Sequence, residues 1–193
     1  MAREIDKSDQ RLILAISGAS GSLYGVTALK MLRRAGVESH LIVSKAAALS
    51  LDAELDMSLA DVQALADVVY KPGDIGAALA SGSFRTMGML VAPCSIKTLG
   101  EIATGVTSSL MSRAADVCLK ERRRLVLMAR ESPLHLGHLR AMTAVTEMGA
   151  IVAPPMPALY TRPRSIEEMV AQSVGRALDL FDIPVDIQRW NGL

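Results

Sequence analysis

Short apolar runs that stop at a glycine, a proline or a polar cluster alternate with segments of helical period, and this alternation constrains the fold of the chain more than any other feature. Arg11 to Ser17 (RLILAIS) is almost continuously apolar and ends at Gly18, the pattern of a strand buried on both faces. Leu23, Val26, Leu29 and Leu32 then recur at helical spacing until Gly36. Ser39 to Val43 repeats the strand pattern, Ser44 is placed to cap a following helix, and Ser58 to Ala66 predicts a short helix. Lys71 to Ser83, rich in glycine and alanine, matches neither period. Met87 to Ala92 (MGMLVA) is a strand closed by Pro93, and Ile96 to about Arg123 is helical with a break near Gly105. A strand over Leu125 to Met128, a helix over Leu136 to Met148 and a strand-like stretch over Ala150 to Ala153 follow. Pro154-Pro155-Met156-Pro157 forces an extended loop. Ser165, with Glu168 three residues on, has the form of a capping box opening a last helix whose apolar face is Val170, Val174, Leu178 and Phe181.

Strands alternating with helices predict an α/β fold, a doubly wound parallel sheet covered on both faces, in one domain spanning residues 1–193. Residues 1–10, polar and charged, are expected to form a flexible N-terminus. Open parallel sheets bind ligands at the carboxyl ends of their strands. The polar loops here follow Ser17, Val43, Ala92, Met128 and Ala153, so they converge on one rim.

Composition narrows the function. Half of the 193 residues are hydrophobic and 21% are charged. Such a chain either enters a membrane or buries extra surface against copies of itself. No stretch reaches the roughly 18 uninterrupted apolar residues of a spanning helix, and Met1 to Gln10 has no apolar signal core. A cytoplasmic homo-oligomer is the expectation. A net charge of +1 with 3% aromatics lacks both the electrostatic footprint and the stacking surfaces of a nucleic-acid binder. The basic run at 120–124 fits a solvated helix end as well as a binding patch. Two cysteines without a CxxC pair suit a reducing compartment, and three histidines without an HExxH pattern give no metal site.

Several loop residues are candidates for chemistry, each with a plainer alternative. Gly18-Ala19-Ser20-Gly21-Ser22 stands between a strand and a helix, where glycines, hydroxyls and a helix N-terminus suit an anion. It matches neither GxxxxGK[ST] nor GxGxxG, so a monophosphate such as that of FMN fits better than ATP or NAD; a ligand-free turn fits equally. Pro93-Cys94-Ser95-Ile96-Lys97-Thr98 either caps a helix or holds a ligand, and Cys94 reads as a small buried hydrophobe. Arg113, Lys120, Arg130 and Glu131 form the densest polar set, with Arg130-Glu131 directly after a strand; they suit phosphate binding and proton transfer, or an ion pair bracing the loop. Tyr160 and Arg176 are donors suited to a second phosphate, and singly each suits packing or surface. Glu54 and Asp56 bind something or are solvated, and His40, His135 and His138 read as structural.

Taken in order, ISGASGSLYG (16–25), SKAA (44–47), PCSIKTLGEIATG (93–105), RAADVCLKERRRLVLMARESPL (113–134), HLRAMTAVTEMGA (138–150) and PALYTRP (157–163) resemble the UbiX-like flavin prenyltransferases, formerly described as aromatic-acid decarboxylase subunits. The resemblance runs from Arg11 to Trp190. It implies a flavodoxin-like fold, assembly as a dodecamer with sites between subunits, and transfer of a dimethylallyl unit from dimethylallyl phosphate (in some members the diphosphate) to N5 and C6 of reduced FMN. The product is the cofactor of UbiD-like decarboxylases, and no metal is required. Carried over, the FMN contacts are Gly18, Ala19, Ser20, Ser44, Ser95, Ile96, Lys97, Thr98 and Arg130. The prenyl phosphate meets Lys120, Arg130, Tyr160 and Arg176, with Trp190 approaching from the C-terminal tail. Ser20, Glu54 and Glu131 handle protons. Leu159 stands where relatives commonly carry Phe. The alternatives are a non-catalytic FMN-binding subunit of an aromatic-acid decarboxylase complex and a related flavin-dependent decarboxylase, although the histidine and Asn-rich loop of the cysteine-decarboxylating branch are missing.

Overall fold

The structure is a computed structural model that describes residues 10–192. Residues 1–9 of the N-terminal segment expected to be flexible lie outside the described residues. Six parallel strands form one sheet in the order β3-β2-β1-β4-β5-β6: β1 (Arg11–Ile16), β2 (Glu38–Val43), β3 (Val68–Tyr70), β4 (Gly88–Cys94), β5 (Arg124–Ala129) and β6 (Ile151–Val152). Without the three-residue edge strand β3, the remaining five follow the flavodoxin order 2-1-3-4-5. The chain reverses direction across the sheet between β1 and β4, and the ligand crevice of such a sheet opens there.

Side-chain alternation builds a core on each face. Leu12, Leu14 and Ile16 of β1 join Leu41, Val43, Leu90 and Val126 under α1 (Ser22–Ala35) and α7 (Ile166–Asp179). Ile13 and Ala15 join Ile42, Met89, Val91 and Leu127 under α5 (Leu110–Lys120), with Leu99 and Ile102 of α4 (Ile96–Thr104) and Val145 of α6 (Leu136–Glu147). Both faces are covered, so the strands read as continuous apolar runs. α1 stops at Gly36, whose φ of 70° lets its amide turn back to the carbonyls of Arg33 and Leu32. α2 (Lys45–Glu54) is capped by the Ser44 hydroxyl, which accepts from Ala47 N at 3.0 Å, and α3 (Leu59–Gln63) by a full Ser58–Asp61 capping box.

Two local expectations are corrected. β4 does not close at Pro93 but runs to Cys94 through a register shift between Val91 and Cys94, the kind of irregularity that lets a residue without an N–H sit in a strand. The helical stretch 96–123 breaks near Gly105 as expected: Gly105 ends α4 in the left-handed conformation and Ser109 starts α5 afresh. At α7 the Ser165 hydroxyl accepts from Glu168 N, but the Glu168 carboxylate takes Arg164 N at 2.6 Å, so the box is closed one residue early.

Candidate active site

Four loops are laced together at the carboxyl ends of the central strands. The buried Ser17 hydroxyl donates to the Pro93 carbonyl at 2.8 Å and accepts from Ser95 N at 2.7 Å, joining the loop after β1 to that after β4. Ser44 N donates to the Ile16 carbonyl at 3.0 Å and Arg130 N to that of Cys94 at 3.0 Å, which adds the loops after β2 and β5. Sequence reasoning used Ser17 only as a strand end; a serine closing an apolar run is the signal it carried.

Beside this lacing lies a cleft of about 650 Å³. Gly18, Ser44, Ser95, Ile96, Lys97, Thr98 and Glu131 line it, as do Lys45, Ala46, Pro72, Gly73, Glu101, Ser108, Ser109 and Met111, none of them anticipated. Two helix N-termini face it. At α4 the Ser95 hydroxyl accepts from Thr98 N, while the amides of Ile96 and Lys97 have no protein partner among the described residues. At α2 the amides of Lys45 and Ala46 are equally unengaged. Orphan donors on aligned peptide dipoles favour a phosphate. Gly18 closes the far wall, where a Cβ would stand 2.4 Å from Ala46 Cβ. The donor set and volume therefore suit the phosphate and ring of a flavin nucleotide. Lys97 is not a free cation: its ammonium holds Glu101 at 2.8 Å, one helical turn on.

The turn at 18–22 contributes Gly18 to the cleft. Its helix end is already filled by Glu54, whose carboxylate accepts Gly21 N at 2.9 Å and Ser22 N at 2.8 Å. Burial would push the Glu54 carboxyl up, but the Ser22 and Gly21 amides and the Ser20 hydroxyl outweigh it and hold the carboxyl below the usual range. The anion at α1 is thus the protein's own, with the Ser20 hydroxyl bonded to it; neither Ser20, Glu54 nor Ala19 lines the cleft. A carboxyl with a depressed folded-state pKa contributes stability above its unfolded value and loses it as pH falls. Between about pH 5 and pH 3, wild type is expected to lose stability more steeply than Glu54→Gln in urea titrations; parallel curves would dissociate this carboxylate from folding.

The other candidates fall in two further places. Arg130 lies near enough to Tyr24 to lower its pKa, against the larger upward push of burial, and it makes no ion pair with Glu131 among the described residues. The bracing ion pair is therefore not formed. Tyr160 meets Trp190 edge to face, ring centroids 5.5 Å apart, and Arg176 pairs with Asp179 beside a smaller hollow of about 230 Å³ formed with Met128, Pro154 and Met156. Lys120 ends α5 beside the start of β5, at the opposite end of the sheet from the cleft, where it pairs with Glu121. Arg123 donates to the carbonyls of Phe84 and Gly82 and Arg124 pairs with Asp182, so most of the basic run is neutralised or bonded internally. Burial drives the Cys94 thiol up to about 12, which leaves it a core residue rather than a nucleophile. His40 bridges Glu38 and Tyr70 in the interior, with burial lowering its pKa.

This sheet order, with a cleft at its switch point, is the flavodoxin-like arrangement of the flavoproteins, and the flavoprotein family model matches residues 2–178. The Escherichia coli K12 protein "Flavin prenyltransferase UbiX" is 54% identical over 187 residues, covering 95% of this chain and 99% of the relative. A crystal structure of AnUbiX (PadA1) in complex with FMN and dimethylallyl pyrophosphate superposes with a TM-score of 0.93 at 50% identity, covering 96% of this chain and 99% of the other. A dodecameric FMN-dependent UbiX-like decarboxylase from Escherichia coli O157:H7 gives 0.92 at 46% identity over 94% of this chain and all of its own. The chain belongs to the UbiX flavin prenyltransferase family.

Proposed function

We propose that this protein transfers a dimethylallyl unit from dimethylallyl phosphate to N5 and C6 of reduced FMN, in the cytoplasm and as a dodecamer, and that its product serves a UbiD-like decarboxylase. The observation that carries this reading is the separation of two anion-binding features on one rim. The cleft presents orphan amides at α2 and α4, and a distinct patch presents Tyr160 and Arg176 near β5 and β6. Gly18, Ser44, Ser95, Ile96, Lys97 and Thr98 hold the flavin and its phosphate, with Ala19, Ser20 and Arg130 at its margin. The flavin supplies the nucleophilic nitrogen and carbon. Arg130, Tyr160, Arg176 and Lys120 stabilise the phosphate as negative charge develops on it, and Trp190 walls the prenyl group. Glu131 takes the protons that leave the two reacting positions, and the Ser20–Glu54 pair relays another. The reading assigns no metal.

Placement supports assembly. Lys120 stands at the wrong end of its own sheet, so it reaches a cleft only where one copy abuts another. Leu49, Ile75, Met156, Leu159 and Ile166 are large apolar side chains more than 60% exposed on the single chain, surface that copies of the chain would cover. Among the described residues, no helix is long and apolar enough to cross a membrane.

The test separates the two anions. Tyr160→Phe and Arg176→Ala are expected to titrate FMN like wild type while KM for dimethylallyl phosphate rises roughly tenfold or more, the loss of one hydrogen bond to a charged group. Equal loss of FMN affinity in both variants would merge the sites and refute the division.

A further inference from the structure

The segment after α7 folds back along that helix and is clipped to it at three points. Ile187 lies directly on Gly175, where a Cβ would come within 2.3 Å of Ile187 Cγ2, so the close approach depends on glycine. The buried Gln172 donates through Nε2 to the Gln188 carbonyl at 2.8 Å. Arg189 then closes a fork on Asp179, Nη1 to Oδ2 at 2.7 Å and Nη2 to Oδ1 at 2.9 Å. The same Oδ2 accepts from Arg176.

One carboxylate therefore holds two guanidinium groups side by side. Asp179 is 13% exposed, whereas Arg176 and Arg189 are 55% and 53% exposed, so the anion sits inside and the cations keep donors outside. The Arg189 fork outweighs burial and, with Arg176, holds the Asp179 carboxyl below its usual range, so the cluster carries a net positive charge at neutral pH. Tyr160 is close enough to act on the charge of Arg189, and Trp190 completes the patch on the Tyr160 ring. A phosphate offers more acceptor positions than a single guanidinium fills, and paired forks match its oxygens.

Resting on the reading above, we propose that Arg189 is a further cationic ligand for the phosphate of the prenyl donor, set beside Arg176 by Asp179 and by the C-terminal strap that Gly175 admits. Asp179 and Gly175 are positioning residues in this scheme. Arg189→Ala is expected to raise KM for dimethylallyl phosphate roughly 10–100-fold while kcat, FMN affinity and Tm stay near wild type. Gly175→Ala should raise KM in the same way by pushing Ile187 off the helix, and Gly175→Ala with Ile187→Ala should restore it, because the clashing Cγ2 is gone. Steady-state kinetics with varied dimethylallyl phosphate at saturating reduced FMN, beside FMN titrations and thermal melts, read all four proteins. An Arg189→Ala enzyme with unchanged KM, or one whose Tm and FMN affinity fall as KM rises, overturns the assignment and leaves Arg189 a structural brace. A wild type that forms no prenylated flavin overturns instead the reading on which it rests, and with it the donor named here.

Discussion

Glu131→Gln is expected to bind flavin and prenyl phosphate like wild type and to turn over roughly 10²–10⁴ times more slowly, the usual cost of removing a positioned general base. Glu131 lines the main cleft from the loop after β5. Its Oε1 accepts only from the Ser132 amide, at 3.0 Å, and no cation pairs with it among the described residues. Glutamine keeps the size and the carbonyl oxygen that receives Ser132 N–H, so the loop should hold its shape. What the amide cannot do is accept a proton at neutral pH. Rapid mixing with reduced flavin, read beside binding titrations, checks this. Slow chemistry with normal binding supports the base; weak binding with intact maximal turnover returns Glu131 to a structural role.

Gly25→Val should be the most damaging change to the fold near the site, lowering stability by about 3 kcal/mol or more. A Cβ at Gly25 would stand 2.6 Å from the Ile16 side chain and 2.7 Å from the Ala92 carbonyl oxygen. Ile16 is wholly buried and Ala92 is strand backbone, so neither has room to yield. Overpacking commonly costs about 1–3 kcal/mol, and the rigid neighbours place this site at the upper end or beyond. The gain from replacing a helical glycine, roughly 0.5–1 kcal/mol even for alanine, does not offset it. The contact lies where α1 crosses β1 and β4, so a displaced helix also loosens the loops carrying Gly18 and Ser95. Urea unfolding should show a lower midpoint at unchanged slope, together with weaker FMN retention. A wild-type midpoint would show that α1 can shift freely.

The strands and the converging loops were legible because parallel strands buried on both faces leave near-continuous apolar runs, as RLILAIS and MGMLVA do. β3 was not, since Val68–Tyr70 is too short and too exposed on the sheet edge to leave a pattern. Seven of the proposed flavin and catalytic residues line one cleft because each lies in a loop after a strand or in the cap and first turn of the next helix. Pro72 and Gly73 escaped notice because their place is fixed tertiarily, by Leu110 N bonding to the Pro72 carbonyl at 2.8 Å. Glu54 was read as a site residue but not as the anion at the start of α1, because a contact between residues 33 apart has no local signature. The Lys120 position shows the limit most clearly: one chain does not bring it to the cleft, and only the resemblance pointed to a site between subunits.

The most direct test of the whole account is to incubate the purified protein, without oxygen and without any decarboxylase, with reduced FMN and dimethylallyl phosphate. The account predicts a flavin carrying the added mass of one five-carbon prenyl unit and an altered absorption spectrum, formed over many turnovers. Unmodified FMN recovered from a protein that binds it well would contradict the account and leave a flavin-binding subunit without chemistry of its own.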